Sequence, residues 1–306
     1  MKKQGVLVVG SSNLDLVVTA QRFPKPGETI FGKKFDMFPG GKGANQAVCT
    51  ARLGCKTTFI GKMGNDEFGG KLLKVLLSDG IDIKNIFIDE NEHTGTALIT
   101  VDSNGQNQII VISGSNMKLT PNELKLKAHL FSEAAVVLTQ LEIPLETVFK
   151  AAELAKENNA IFILNPAPVT KLPESLFPSV DYLIPNENEL ELISGLKITD
   201  ETSIRKACEN LLNKGIKNII VTLGSKGALL LNRNVNKIFP TKKVKVVDTT
   251  AAGDAFNGAF AYRISEGDSL DDAIEFANNV ASLVVTRMGA QSSMPYLNEI
   301  NNLLPY

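Results

Sequence analysis

ANQAVCTARLGCKTTFIGKMGNDEFGGKLLKVLL, residues 44–77, carries the pattern that decides the fold. A helical pattern over Ala44–Leu53 is followed by a short apolar strand pattern, Thr57–Ile60. A second helical pattern, Glu67–Leu77, ends near Gly80. Short apolar runs bounded by turn residues are typical of strands that helices cover on both faces. The stretch therefore predicts part of an alternating βα fold with a parallel sheet.

The same alternation extends in both directions along the chain. Further strand patterns lie at Val6–Val9, Ala135–Leu138, Ile161–Leu164, Tyr182–Ile184 and Ile219–Leu223. Helical patterns between the later strands lie at Leu145–Glu157, Glu187–Ile193 and Ser203–Asn213. We predict an α/β fold with a doubly wound, mainly parallel sheet. Since no repeat, linker or low-complexity tract divides the chain, residues 1–306 are predicted to form one domain.

Two segments interrupt the alternation and predict a second, smaller sheet. Residues 14–38 carry two prolines and a glycine among alternating apolar residues, which favours a hairpin over a crossover helix. Residues 94–112 hold two apolar runs around Asp102-Ser103-Asn104-Gly105, a hairpin turn pattern. We expect these two insertions to form a β-sheet lid over the functional site.

Composition and charge exclude several classes of protein. The net charge of -1 provides no field that would draw the chain to nucleic acid or to an anionic membrane. The three cysteines lack the close spacing of a disulfide framework or a zinc site, so we expect reduced thiols. The first apolar run is too short for a secretory signal, and no run is long enough to span a membrane. We expect a cytoplasmic protein.

Polar side chains follow several of the predicted strands, at the edge where open α/β sheets bind ligands. These residues are Asn13 and Asp15, Gln140 and Glu142, Asn165, and Asn186. A floor of amides and carboxylates under a lid suits a polyhydroxylated ligand. Loops at strand ends are polar in many proteins, so topology alone leaves both interpretations open.

The stretch Val246–Gly258, VVDTTAAGDAFNG, is the most informative for chemistry. Its small residues 251–253 lead into a strongly apolar helical pattern, Ala255–Ile264. The free N–H groups and dipole of a helix start would hold the developing charge of a phosphate, and Asp254 would accept the proton of an attacking hydroxyl. The alternative is that Asp254 only caps the helix. The small residues, which leave room for an anion, favour catalysis.

A second glycine-rich stretch, Pro39–Gln46 (PGGKGANQ), opens the first helical pattern. Its glycines allow close approach of a ligand to the backbone, and Lys42 and Asn45 offer donors to hydroxyls or phosphate. Because Lys42 is followed by Gly43 rather than by Ser or Thr, the stretch is not a P-loop, and it also lacks the dinucleotide-binding spacing. Taken alone, it is also compatible with an ordinary turn.

Three further features allow a functional and a purely structural interpretation. Thr222–Gly227 follows a strand and forms either a nucleotide-binding turn or an ordinary β-turn. Asn186 and Glu189 either form a helix capping box or face the water shell of a magnesium ion. His93 and His129 lack metal-binding partners in the sequence, so we expect them at the surface.

Together these stretches resemble the motifs of the PfkB (ribokinase) family of sugar kinases, in family order from about Val6 to Pro295. The resemblance implies transfer of the γ-phosphoryl group of ATP, with Mg²⁺, to a sugar. The pattern is most similar to that of members that act on the 5-hydroxyl of D-ribose. The lid of the family often doubles as a dimer interface, which implies a homodimer.

The resemblance also implies a role for each candidate site residue. The sugar would be held by Asn13, Asp15, Gly41, Lys42, Asn45, Glu142 and Asp254. Asp254 would be the catalytic base, beside an anion hole formed by Ala251, Ala252 and Gly253, where the family more often has Gly-Ala-Gly. An alanine at the first position still presents its backbone N–H.

The remaining roles concern the nucleotide and the metal ions. ATP would contact Asn186, Thr222, Gly224, Ser225, Gly227, Gly253 and Asn278, the last standing where relatives often have a histidine. Glu189, with Asn186, would order the waters of Mg²⁺. An activating K⁺ would be surrounded by Asp248, Thr250, Val284, Arg287, Gly289 and Ser293.

Parts of this sequence pattern are also compatible with other functions. Within the same class, the nearest alternatives are a kinase of 2-deoxyribose and kinases of other furanoses or nucleosides, but Asn13 and Asp15 resemble the ribose-binding pattern. A sugar-sensing protein on an inactive kinase scaffold would have lost the base or the anion hole, whereas Asp254 and Gly253 are present. A nicotinamide-dependent oxidoreductase is disfavoured because no dinucleotide fingerprint follows Val6–Val9.

Overall fold

The central sheet is built from short strands, most of which are apolar and buried. The computed structural model describes residues 3–301, so the outermost ends of the predicted domain lie outside the described residues. The strands of the central sheet are β1 (Val6–Val9), β4 (Thr57–Ile60), β9 (Val136–Thr139), β10 (Ile161–Leu164), β11 (Tyr182–Leu183), β12 (Asn218–Thr222), β13 (Ala228–Asn232) and β14 (Asn236–Phe239). Their order is β14-β13-β12-β11-β10-β9-β1-β4.

Six neighbouring strands of this sheet run parallel, as predicted, whereas β13 and β14 form an antiparallel edge that the sequence patterns did not indicate. Successive side chains of β1 enter different cores: Val6 and Val8 pack into one cluster, and Leu7 and Val9 into another. Because the side chains of a strand alternate between faces, a run without polar residues requires a core on each side. The predicted doubly wound sheet is confirmed.

Helices cover both faces of the central sheet. They are α1 (Lys42–Arg52), α2 (Glu67–Ser78), α3 (Pro121–Leu126), α4 (Ala128–Glu133), α5 (Leu145–Glu157), α6 (Glu187–Ser194), α7 (Glu201–Asn213), α8 (Ala252–Glu266), α9 (Leu270–Val284) and α10 (Leu297–Asn301). Among the described residues, no helix is long and apolar enough to cross a membrane.

Helix α8 begins three residues before its predicted start, which placed the first helical residue at Ala255. Ala251 adopts a left-handed backbone conformation (φ 59°) and ends the preceding turn, so the helix starts at Ala252. Left-handed geometry is uncommon for alanine, and no apolar periodicity marks it in a sequence. The predicted start of α8 was therefore wrong.

The predicted lid is a four-stranded sheet of order β3-β2-β7-β8. Its strands are β2 (Asn13–Ala20), β3 (Gly32–Gly40), β7 (Gly95–Val101) and β8 (Asn107–Ile112). A third, two-stranded sheet pairs β5 (Lys62–Gly64) with β6 (Phe87–Asp89). Strand β2 follows directly from the carboxyl end of β1, so Asn13 and Asp15 lie where the lid leaves the central sheet.

The close packing of α1 against α8 brings two distant parts of the chain together. A Cβ atom at Gly258 of α8 would lie 2.8 Å from the carbonyl oxygen of Gln46 and 2.9 Å from the Cβ atom of Cys49, both on α1. Glycine therefore permits a helix separation that alanine would prevent. The first turns of the two helices consequently meet at the same edge of the sheet.

Candidate active site

The carboxylate of Asp254 lies at the junction of α1 and α8. It is buried, and each oxygen accepts one amide hydrogen bond from α1: Oδ2 from Asn45 Nδ2 at 2.9 Å and Oδ1 from Gln46 Nε2 at 3.0 Å. Helix α8 has no side-chain cap. The alternative that Asp254 merely caps its helix is therefore wrong, because its oxygens face a neighbouring helix.

The predicted anion-hole residues form the start of α8. The N–H group of Ala252 is 3.3 Å from the carbonyl oxygen of Thr249, a long contact. A Cβ atom added to Gly253 would meet no atom within 4 Å, and Gly253 lines a cleft of about 890 Å³. The helix start thus faces open space large enough for a nucleotide.

Sugar-binding candidates gather around the carboxylate of Glu142. One of its oxygens accepts hydrogen bonds from Ser11 Oγ at 2.5 Å and from the backbone N–H of Lys42 at 2.9 Å. Burial, together with the negative charge of Glu142, raises the pKa of Asp15 to about 7. The charge of Asp254, with smaller contributions from Glu142 and Glu189, raises the pKa of Lys42 and keeps it cationic.

Two asparagines of this region present amide groups in fixed directions. Asn13 Oδ1 accepts a hydrogen bond of 2.7 Å from Asn116 Nδ2, and Asn116 also bonds the backbone N–H and carbonyl of Ser12. The Oδ1 atom of Asn45 is buried and has no hydrogen-bond partner among residues 3–301. A ligand hydroxyl would satisfy this acceptor.

The cleft of about 890 Å³ contains every residue predicted to contact ATP. These are Asn186, Thr222, Gly224, Ser225, Gly227, Gly253 and Asn278. The amide of Asn278 donates to the carbonyl oxygen of Phe239 at 3.0 Å, so it holds the wall of the cleft as well as facing it. Lys242, Lys243 and Phe256 also line the cleft and were not predicted.

Asn186 and Glu189 form the capping box that the sequence allowed. Asn186 Oδ1 accepts from the backbone N–H of Glu189, and Glu189 Oε2 accepts from that of Asn186, both at 2.9 Å. Burial is the main cause that raises the pKa of Glu189, and the charge of Asp254 adds to it. Since a carboxylate has about four acceptor positions, the capping box leaves room for the waters of a metal ion.

Two of the predicted potassium residues, Thr250 and Gly289, contact a third, Asp248. Its Oδ1 atom accepts from the hydroxyl of Thr250 at 2.6 Å, and its Oδ2 atom accepts from the N–H of Gly289 at 2.8 Å. Burial opposes ionisation, but these hydrogen bonds outweigh it and lower the pKa of Asp248. The guanidinium of Arg287 pairs with Glu299 at 2.6 Å.

The other two predicted potassium residues use their polar groups within the protein. The carbonyl oxygen of Val284 accepts from the N–H of Arg287 at 3.0 Å. The buried hydroxyl of Ser293 donates to the carbonyl oxygen of Ala290 at 2.7 Å. A carbonyl or hydroxyl oxygen has two lone pairs, so neither bond uses the whole acceptor capacity of its oxygen.

The sequence motifs gave no specific role to five polar residues of this region. Three of them, Ser11, Gln46 and Asn116, hold residues of the predicted site by hydrogen bonds. Gln140 and Asn165 were expected only as part of a polar floor at the strand ends; both bond Gln46. Their amides and hydroxyls match no motif, so their part in the site follows only from the fold.

A model of the pfkB family of carbohydrate kinases matches residues 3–297. The chain belongs to this family. It is 41% identical over 300 residues to a ribokinase of Staphylococcus aureus, with 97% of this chain and 99% of the relative covered. It is 37% identical over 300 residues to a deoxyribokinase of Salmonella typhimurium, with 98% of each chain covered.

A solved structure shares the fold of the whole chain. The structure of Arabidopsis thaliana ribokinase complexed with ribose and ATP has a TM-score of 0.93 and 36% identity, and 99% of each chain is covered. The predicted family, the predicted fold class and the prediction of a sugar kinase are confirmed. The oxidoreductase alternative is wrong.

Proposed function

We propose that this kinase transfers the γ-phosphoryl group of ATP to the 5-hydroxyl of D-ribose. One observation carries the proposal: the buried carboxylate of Asp254 lies between the sugar-binding candidates of α1 and the nucleotide-sized cleft. A carboxylate at that junction can orient an attacking hydroxyl and accept its proton. The ribokinases among the relatives support ribose as the acceptor.

The candidate residues form two groups, one that binds the sugar and one that binds the transferring phosphoryl group. Asn13, Asp15, Gly41, Lys42, Asn45 and Glu142 hold the sugar, and Asp254 accepts the proton of its 5-hydroxyl. Ala251, Ala252 and Gly253 present the start of α8 to the transferring phosphoryl group. The positive helix end and the ammonium of Lys42 then offset the negative charge that develops there.

The choice between ribose and 2-deoxyribose needs an experiment, because a deoxyribokinase is also among the relatives. Release of ADP is measured across ribose, 2-deoxyribose, fructose and adenosine. A buried group that bonds the 2-hydroxyl is left unpaired by 2-deoxyribose, and such mismatches cost up to about 10⁴–10⁵ in specificity. We expect a clear preference for ribose. Equal or higher kcat/KM with 2-deoxyribose would overturn the ribose assignment but leave the kinase.

The geometry at the start of α6 supports a role for Mg²⁺. Asn186 lines the nucleotide cleft, and Glu189, three residues further along the chain, interacts electrostatically with Lys42 and Asp254. The ion accompanies ATP and offsets phosphate charge. Glu189 and Asn186 would order its water shell.

A potassium site at Asp248, Thr250, Val284, Arg287, Gly289 and Ser293 is supported by the contacts around Asp248. A cation there would fix the 248–250 segment just before the start of α8, without touching the sugar. ADP formation is measured at constant ionic strength while potassium is exchanged for sodium or tetramethylammonium. We expect the rate to fall, and a rate indifferent to the exchange would contradict the site.

The lid supports a homodimer in which each subunit is a single domain. Its apolar side chains include Phe35, Leu98 and Ile110, which are exposed in one chain. Apolar sheet surfaces and strand edges favour association. Light scattering is expected to give twice the chain mass of 33.0 kDa, whereas the chain mass itself would contradict the dimer.

The three buried free cysteines suit the reducing cytoplasm, where we place the kinase.

A further inference from the structure

A chain of buried amide groups that do not line the cleft reaches Asp254. Gln140 Nε2 donates to Gln46 Oε1 at 2.5 Å. Gln46 Nε2 in turn donates to Asp254 Oδ1 at 3.0 Å and to Asn165 Oδ1 at 3.1 Å. Both glutamine side chains are fully buried, and neither lines the nucleotide cleft. Gln46 therefore contacts the carboxylate without being part of the surface that a nucleotide meets.

The neighbours of Gln46 fix which end of its amide faces Asp254. Asn165 Nδ2 donates to the backbone carbonyl of Ile184 at 3.1 Å, which turns Asn165 Oδ1 toward Gln46. Gln140 supplies a donor to the opposite end of the Gln46 amide. If Gln46 were flipped, its oxygen would face the oxygens of Asp254 and Asn165. Buried acceptors that face each other are costly, so the NH₂ group is held toward Asp254.

We propose that Gln46 is a positioning residue for Asp254, and that Gln140 orients Gln46. This inference rests on the proposed role of Asp254 as the base. The final torsion of an aspartate side chain is broad, so a carboxylate held at one oxygen can still turn. Asn45 holds Oδ2 and Gln46 holds Oδ1. The two bonds together fix the carboxylate plane, and an unused lone pair then points at the sugar hydroxyl.

The test removes the donor and keeps the volume. Gln46→Met is expected to lower kcat by about 10- to 100-fold, because a misplaced reacting group is costly. The KM for ribose should stay within about threefold of wild type, since Gln46 does not hold the sugar. Turnover within about threefold of wild type would overturn the proposal.

A matched control separates positioning from damage to the helix pair. Thr50 lies one turn further along α1, is fully buried, and bonds the carbonyl oxygens of Gln46 and Gly258 without touching Asp254. Thr50→Val should lower the melting temperature and leave kcat within about threefold of wild type. If Thr50→Val lowers kcat as far as Gln46→Met does, helix packing explains the loss and the proposal fails.

A double-mutant cycle tests the orienting role of Gln140. Gln140→Met is expected to lower kcat by about 3- to 10-fold, and it also covers the case in which Gln46→Met does not fold. Because Gln140 acts through Gln46, the double variant should be no slower than Gln46→Met alone. Losses that add in full would overturn the orienting role.

Asp254→Asn in the same assay distinguishes failure of this inference from failure of the proposed function. If Asp254→Asn loses turnover while Gln46→Met does not, only the role of Gln46 is wrong. If Asp254→Asn keeps turnover, the role of Asp254 as base is wrong, and the inference falls with it.

Discussion

The first turns of α1 and α8 meet at the same edge of the sheet, but the hydrogen-bond partners of their first backbone N–H groups differ. In α1, the N–H of Lys42 donates to the carboxylate of Glu142, and that of Gly43 donates to Ser11 Oγ at 3.3 Å. The N–H of Ala44 donates to the carbonyl oxygen of Ser11. The protein itself thus satisfies the start of α1.

In α8, no side chain caps the first turn, and Gly253 borders open space in the cleft. The first N–H groups of every helix need partners from outside the helix. Where the protein supplies them, as in α1, the helix start offers side chains rather than an anion site. Where the helix start borders open space, as at Gly253 of α8, a phosphate can bind there. The difference supports the proposal that α1 serves the sugar and α8 the phosphoryl group.

The largest effect is expected from removing the base at the start of α8. Asp254→Asn should lower kcat by about 10²–10⁴, because an amide cannot accept the proton of the sugar hydroxyl. Calorimetry should still detect ribose and ATP binding, since the shape is retained. If Asp254→Asn binds both ligands and turns over at the wild-type rate, Asp254 is not the base. The start of α8 would then have no catalytic carboxylate that distinguishes it from the start of α1.

A methyl group at the start of α8 should separate ligand binding from folding. The methyl group added in Gly253→Ala meets no neighbouring atom. The free energy of unfolding of the ligand-free protein should therefore rise by up to about 1 kcal/mol, because alanine has the better helix propensity. The methyl group would occupy phosphate space, and kcat should fall by about 10- to 100-fold.

Gly70 provides the control for this variant, because it lies on α2, is exposed, and also has open space around its Cβ position. Gly70→Ala should raise the melting temperature without changing kinetics. If Gly253→Ala behaves like Gly70→Ala, phosphate does not sit against the start of α8.

A change at the start of α1 should instead affect the sugar. In Glu142→Gln, the bonds from Ser11 and Lys42 lose a charged acceptor, and such bonds are about twice as strong as neutral ones. We expect the KM for ribose to rise by about tenfold, with kcat within about threefold of wild type. Steady-state kinetics at saturating ATP measure both. An unchanged KM for ribose, or a loss confined to kcat, would contradict a role of the start of α1 in sugar binding.

The smallest effect concerns the ionisation of Asp15. Its pKa is raised to about 7, so the carboxylate that we propose as an acceptor of sugar hydroxyls forms only as pH rises through that value. The KM for ribose should therefore fall by about two- to fivefold between pH 6 and pH 8. Because Glu142 contributes to the raised pKa, Glu142→Gln should move the midpoint to lower pH. A midpoint that does not move would show that Glu142 does not act on Asp15.

The same shift has a consequence for stability. The pKa of Asp15 is higher in the folded protein than the ordinary value of about 4 in an unfolded chain. The folded state therefore holds its proton more strongly, and the contribution of Asp15 to the free energy of unfolding falls as pH rises from about 4 to about 7. Thermal melts of wild type and Asp15→Asn over this range should diverge in that direction, and parallel melting curves would contradict the raised pKa.

Much of the fold could be predicted because apolar periodicity is a local property. The strands Thr57–Ile60 and Ile161–Leu164 and the helix Leu145–Glu157 have the predicted bounds. The antiparallel edge of β13 and β14 was missed, since the order in which strands pair depends on contacts between distant segments. The start of α8 was misplaced because Ala251 adopts a backbone conformation that its side chain does not favour.

The same difference between local patterns and contacts of distant segments applies to the candidate site. Residues in motifs, such as Asp254 and Asn45, could be proposed because their spacing resembles that of a family. Gln46 and Gln140 could not be assigned a role, since a glutamine carries no pattern that reveals its partner. Gln46 and Asp254 are 208 residues apart, and only the packing of α1 on α8 puts them in contact.

The sequence by itself determined the alternation of strands and helices, the lid insertions and the motif residues, because each depends on side chains that are close along the chain. The tertiary structure decided which helix start is satisfied by the protein and which is left to a ligand. That choice depends on Glu142 and Ser11 reaching α1, while α8 receives no side-chain cap. Hydrogen bonds between distant segments follow from how the chain folds, and local sequence patterns do not encode them.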